Sequence, residues 1–251
     1  MTGPGDDHAD AARYALAAGE VLLALRAEAA TGRPSWVLGD EGDVRANHRL
    51  LELLHDEHPD DAILSEESAD DPRRVDAERV WIVDPLDGTR EFTEPGRVDW
   101  AVHVALWERG PGVRTGAVAL PAQERVLATG QQLVVPERDG RPLRVVVSRT
   151  RPPAAARRVA DAIGAELVGL GSAGAKTMAV VTGDVDAYVH AGGQYEWDSA
   201  APAAVAAAAG LHVSRLDGSP LQYNRPDPWL PDLVVCRAEL ADDVLAAVAG
   251  D

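Results

Sequence analysis

The chain of 251 residues sets 24 lysines and arginines against 41 aspartates and glutamates, a formal net charge of −17. That balance excludes electrostatic attraction to nucleic acid or to an anionic membrane, and an anionic substrate would need cations in order to bind. The length suffices for a large core, as one domain or two closely packed ones. The lone cysteine, Cys236, excludes internal disulfides and fits a reducing cytoplasm.

The acidic, polar start is followed by an apolar stretch broken by Glu20, Arg26 and Glu28, so neither a signal peptide nor a membrane span is expected. Leu16, Leu22, Leu23 and Leu25 recur at helical spacing between Asp10 and about Ala30. Thr31, Gly32, Arg33 and Pro34 end that helix, and a loop is expected to run on to Gly42. Asp43 then precedes a second helical pattern (Val44, Leu50, Leu51, Leu53, Leu54) closed by His58 and Pro59; as an acid at a helix start it is a candidate N-cap. Ala62 to Ser65 reads as a strand that runs into Glu66 and Glu67.

Residues 79–92, RVWIVDPLDGTREF, hold the densest chemistry. Val80, Trp81, Ile82 and Val83 read as a buried strand that stops at Asp84-Pro85, where proline removes a ladder donor. The turn can aim the carboxylates of Asp84 and Asp87, and the Leu86 carbonyl between them, at one point. Oxygen-only ligands crowded in this way suit a hard cation such as magnesium. Gly88 and Thr89 open a helix-like stretch whose free N–H groups suit an anion. Taken alone, the segment is also compatible with a solvated strand-to-loop junction. It has features of the DxDGT motif of haloacid-dehalogenase-type phosphatases too, but two residues, one a proline, separate the acids here. Glu66 ends a second strand, and neighbouring strands would bring both acid groups to one edge. Carboxylates sharing a site repel unless cations lie between them.

Strands are expected at Ala101–Trp107, Val113–Leu120 and Arg125–Ala128 as an antiparallel meander, with His103 an ordinary strand residue. Pro136 to Pro142, PERDGRP, is the candidate junction between a part spanning 1–140 and a part spanning 141–251. Beyond it come a strand at Leu143–Val147, a helix to about Ile163 and a strand at Glu166–Val168. Gly171, Ser172 and Ala173 then open a helix to near Gly183, where small residues let a ligand approach the backbone and Lys176 adds a positive charge. A strand at Val185–Val189 turns at Gly192-Gly193. Asp198 reads as the N-cap of a small-residue helix from Ser199 to Ala209, a role compatible with binding metal through its other lone pairs. A strand at Leu233–Cys236 and a helix from Ala238 close the chain.

The motifs ILSEES, WIVDPLDGT, GSAGAK and WDSAAP, in this order and spacing over nearly the whole chain, resemble the inositol monophosphatase superfamily of lithium-sensitive magnesium phosphatases. Within it the sequence is most similar to the CysQ-type 3′(2′),5′-bisphosphate nucleotidases, which act on 3′-phosphoadenosine 5′-phosphate. The resemblance implies a layered αβαβα sandwich of the inositol monophosphatase and fructose-1,6-bisphosphatase type, α+β in its first part and α/β in its second. It implies that Glu66, Asp84, the Leu86 carbonyl, Asp87 and Asp198 hold magnesium, with Asp43, paired with Thr89, helping to hold a more weakly bound ion, two to three ions in all. A water oriented by Glu66 and Thr89 would attack phosphorus in line, Gly88 and Thr89 would hold the phosphate, and Gly171, Ser172 and Ala173 would lie against the sugar. Arg90, just after the cradle, is a candidate partner for a second phosphate. Inhibition by lithium, a cytoplasmic location and a role in sulfate assimilation follow from the same resemblance. Family members are commonly homodimers, a matter on which the residues themselves are silent.

Two departures bear on substrate. The lysine and Ser-Pro-Val-Thr-like run usual before the acid matching Asp43 is replaced by Trp36 to Gly42, so the loop beside the weak metal is expected to behave differently. Ala191 stands where inositol monophosphatases place an acid against inositol hydroxyls, which argues against inositol phosphate. Three readings follow: a nucleotidase, a phosphatase of inositol phosphate or fructose 1,6-bisphosphate, and a nucleotide sensor with little catalysis. The complete acid set weighs against the last.

Overall fold

The computed structural model describes residues 6–29 and 34–249, so the helix stop expected at Thr31 to Arg33 lies outside the described residues. Five strands form a first sheet in chain order: β1 (Ala62–Ser65), β2 (Arg79–Asp87), β3 (Ala101–Glu108), β4 (Gly112–Leu120) and β5 (Arg125–Ala128). β1 lies parallel to β2, and β2 to β5 make the expected antiparallel meander. Side chains alternate across a strand. Trp81 and Val83 therefore join Leu22 and Leu25 of α1 (Asp7–Ala29) and Leu50 and Leu54 of α2 (Ser35–Glu57) in one core. Val80 and Ile82 point the other way, into a core shared with α5 (Ala173–Val181), α6 (Glu196–Ala208) and one face of a second sheet.

That second sheet contains β6 (Arg144–Ser148), β7 (Glu166–Leu170), β8 (Ala187–Tyr195), β9 (His212–Ser214) and β10 (Trp229–Cys236) in the order β7-β6-β8-β10-β9. Its outer face packs Val145, Val189 and Val234 against α4 (Ala154–Ile163) and α7 (Ala241–Ala249). Cys236 is buried in that layer as a small apolar side chain. The result is a stack of helices, sheet, helices, sheet and helices, the αβαβα sandwich. No helix among the described residues is long and apolar enough to cross a membrane.

Three local expectations are corrected. The stretch from Trp36 to Gly42 is not a loop, because α2 begins at Ser35 and leaves Asp43 inside a helix rather than at its cap. Gly39 and Gly42, in the stretch expected to be a loop, are glycine for want of room. A Cβ at Gly39 would lie 2.8 Å from Thr89 Cγ2, and one at Gly42 would lie 2.9 Å from Phe92 Cε1. The second strand does not stop at Asp84. It continues to Asp87 through an irregularity in which Asp84 faces His103 and Asp87 faces Ala101, so Pro85 falls in a bulge where its missing N–H breaks no ladder. Gly192-Gly193 is not a turn either, since β8 runs on to Tyr195, paired with Trp229 of β10.

Candidate active site

Parallel pairing sets Ser65 beside Val83, so β1 and β2 deliver Glu66 and Asp84 at one sheet edge. The bulge then turns Asp87 toward the same place. Gly88 adopts the left-handed conformation (φ 89°) that glycine favours and starts the short helix α3 (Thr89–Thr93). From the second sheet, α6 contributes Asp198, whose carboxylate accepts the Tyr195 N–H at 2.6 Å. That makes Asp198 the third residue of its helix and a capping partner rather than the N-cap itself. Glu66, Asp87 and Asp198 line a cleft of about 420 Å³. Leu86 is buried, and its carbonyl accepts the Thr89 hydroxyl at 3.4 Å.

Electrostatics separate these acids. Burial, then repulsion from Glu66, Asp87 and Asp198, pushes Asp84 well above the usual carboxylate range. Lost hydration and the neighbouring charges raise Glu66 to about 7, although it is exposed as a residue. Burial and Asp87 raise Asp198 to about 6. Asp43 is raised to about 7 by burial, Glu67 and Asp40, against the hydrogen bond from Thr89. Asp87 is the exception. Burial would raise it, but His103, Lys176 and Ser172 outweigh that and hold it low. Four crowded carboxyls that cannot all ionise without help form a hard, oxygen-rich donor set suited to a divalent cation.

The loop before α5 is tied to the same acids. Ser172 Oγ donates to Asp87 at 2.5 Å and accepts the Ala175 N–H at 2.9 Å, while the Gly174 N–H reaches Asp87 at 2.7 Å. The Gly171 N–H is taken by Asp99 at 2.6 Å. Ala173 lines the cleft. Arg90 is exposed and does not line it, whereas Lys176 does. Lys176 is the only lysine in the chain; it is 7 % exposed and sits 5.2 Å from the centre of the Tyr188 ring. Among the described residues no carboxylate pairs with it.

His103 is the residue the sequence reading passed over. It is fully buried, with Nε2 3.2 Å from Asp87 but out of line for a hydrogen bond, and Nδ1 3.8 Å from Asp84 and 3.0 Å from the Trp197 carbonyl. Burial opposes its protonation, yet Asp87 raises it overall. Asp84, Asp87 and His103 together can offer one ligand atom each to a single ion. The available signals were register, which sets His103 opposite Asp84, and Gly174, where a Cβ would fall 2.0 Å from His103 Nε2.

Residues 12–249 match the Inositol monophosphatase family. The chain belongs to that family. Among its curated relatives is the 3′-phosphoadenosine 5′-phosphate phosphatase of Mycobacterium tuberculosis (strain CDC 1551 / Oshkosh), 54% identical over 239 residues, 92% of this chain and 89% of that protein. The 3′(2′),5′-bisphosphate nucleotidase CysQ of Escherichia coli (strain K12) is 33% identical over 202 residues, 75% of this chain and 80% of that one. The family fold recurs in the crystal structure of CysQ from Bacteroides thetaiotaomicron, with a TM-score of 0.78 and 26% identity, covering 92% of this chain and 96% of that one.

Proposed function

We propose that this chain is a magnesium-dependent phosphatase that releases the 3′-phosphate of 3′-phosphoadenosine 5′-phosphate, giving AMP, in support of sulfate assimilation in the cytoplasm. Similarity over most of the chain to relatives named for that reaction supports the reading. The observation that carries it within the site is Lys176. A cleft that handled one phosphate on metal would need no further cation, whereas a bisphosphate presents a second one.

In this reading Glu66, Asp84, the Leu86 carbonyl, Asp87 and Asp198 hold magnesium, and Asp43 helps to hold a weaker ion. Residues 1–140 then supply most ligands and the cradle for the reacting phosphate, and 141–251 supply Asp198 and further substrate contacts. Bound magnesium would lower the pKa of a water and neutralise charge on the leaving oxygen. The remaining work falls to the chain. Glu66 orients the attacking water together with Thr89. Gly88 and Thr89 hold the reacting phosphate by N–H groups, and Gly171, Ser172 and Ala173 lie against the sugar. Lys176 meets the phosphate that does not react, with Arg90 a second candidate. Lithium would inhibit by competing at the metal positions.

Phosphate release from 3′-phosphoadenosine 5′-phosphate, inositol 1-phosphate and fructose 1,6-bisphosphate, with and without magnesium, tests the reading. Preference for the nucleotide is expected. Better turnover of either sugar phosphate would move the substrate within the family, and tight nucleotide binding without release would favour a sensor. Lys176→Met should raise KM for the bisphosphate by roughly 10- to 100-fold, the worth of a charge-assisted hydrogen bond, and affect a 3′-monophosphate far less. An unchanged KM would remove Lys176 from the second phosphate, and Arg90→Ala assayed in parallel tests the other cation.

A further inference from the structure

Large aromatic side chains are scarce here, six Trp, four Tyr and one Phe in 251 residues. Among the described residues only Trp36, Tyr195 and Trp229 are left strongly exposed, and the last two, 46 % and 45 % exposed, lie side by side. They are cross-strand partners in β8 and β10, and both line the cleft that contains Asp87 and Asp198. Leaving so much aromatic surface in water forgoes the gain from burying it, so a ligand face is the natural cover.

Both rings are held in place. Tyr195 stacks on Trp197, with centroids 4.7 Å apart and planes 13° from parallel. Trp229 lies against Gly193, where a Cβ would meet the indole Nε1 at 2.7 Å and two of its ring carbons at 3.1 Å. Gly193 also has a φ of 92°, a conformation other residues rarely adopt. Any side chain at 193 would push the indole out of position. The neighbouring Gln194 is the group whose amide could read a base edge, but its nitrogen and oxygen are both closed off from solvent and unpartnered. The wall therefore offers two exposed aromatic rings, with the Gln194 side-chain amide withdrawn from it.

We infer that Trp229 and Tyr195 form the platform on which the nucleobase of the substrate lies, so that preference for a nucleotide over a base-free sugar bisphosphate comes from stacking and not from reading the base edge. The inference rests on the nucleotidase reading and adds the residues that select for a base. Aromatic stacking accepts any base because every base has a π face, so adenine and guanine should serve about equally.

The test measures kcat and KM in saturating magnesium for 3′-phosphoadenosine 5′-phosphate, its guanine counterpart and ribose 3,5-bisphosphate, with the wild-type chain, Trp229→Ala, Trp229→Phe and Tyr195→Ala. The wild type should favour both nucleotides over the base-free sugar. Trp229→Ala should raise KM for both nucleotides roughly 5- to 100-fold, the loss falling on KM rather than kcat, and Trp229→Phe should recover most of it. Tyr195→Ala should act in the same direction. An unchanged nucleotide KM in both alanine variants, or an equal rise for the base-free sugar, would overturn the platform while leaving the nucleotidase reading intact. Strong discrimination between adenine and guanine by the wild type would overturn selection by stacking. Failure of the wild type to prefer either nucleotide would overturn the nucleotidase reading and the platform with it.

Discussion

Asp84 and Asp186 are both almost wholly buried, and their surroundings treat them in opposite ways. Asp186 accepts from Arg141 at 2.6 Å, from Arg237 at 2.9 Å and from the Arg144 N–H at 2.9 Å. Burial alone would raise its pKa, but these donors hold the carboxyl below the usual range. Among the described residues Asp84 accepts one hydrogen bond, from the Leu86 N–H at 3.1 Å, with His103 Nδ1 no nearer than 3.8 Å, and neighbouring acids push it up. The fold gives Asp186 its counter-charges and leaves Asp84 to wait for one. The same division runs through the molecule. Arg79 is spent on Asp7 and Asp61, Arg74 on Asp70 and Arg215 on Asp232, while among the described residues no arginine lines the carboxylate cleft, which has Lys176 and His190 in its wall and the buried His103 beneath it.

The contrast is sharpest under substitution. Asp186→Ala strands the buried Arg237 and half of the Arg141 contacts. It should cost about 3–5 kcal/mol of stability, as breaking one side of a buried ion pair does, and urea unfolding measures it. Turnover of the protein that remains folded should change little. Asp84→Asn should do the reverse, lowering kcat by roughly 10²–10³, the range for removing a group that stabilises developing charge. Without metal its stability should hold or rise, because one repelling carboxylate is gone. If both variants lost stability equally, the division between structural and chemical acids would fail.

Much of this was legible in sequence because strand alternation and acid spacing are local. Val80 to Val83 announced a strand buried on both faces, and Glu66, Asp84, Asp87 and Asp198 stood out as acids at element ends. What escaped reading depended on distant neighbours. Gly39 and Gly42 have the composition of a loop, and only the approach of Thr89 and Phe92 from another element explains them inside a helix. His103 looks like any strand residue until its register opposite Asp84 is known. Gly192 and Gly193 carry turn composition, yet the pairing of β8 with β10 extends the strand to Tyr195 and makes room for Trp229.

The smallest expected effect is also the most diagnostic of the two classes, because it separates them by pH. Asp186 is held low, so its contribution is present above the ordinary carboxyl pKa and is lost only as pH falls through its depressed value. Glu66 and Asp198 go the other way. The folded chain binds their protons more tightly than the unfolded chain does, with values of about 7 and about 6 against ordinary ones of 4.5 and 3.8. Their contribution is therefore complete in acid and declines as pH rises from near 4 through 7. Without divalent metal, the urea midpoint should fall across that interval. Saturating magnesium should flatten or reverse the fall, since a cation takes the place of the protons and binds the folded state alone. A metal-free midpoint that stays level from pH 4.5 to 7 would mean that the crowded carboxyls find their counter-charge within the protein, and the distinction between Asp84 and Asp186 would collapse.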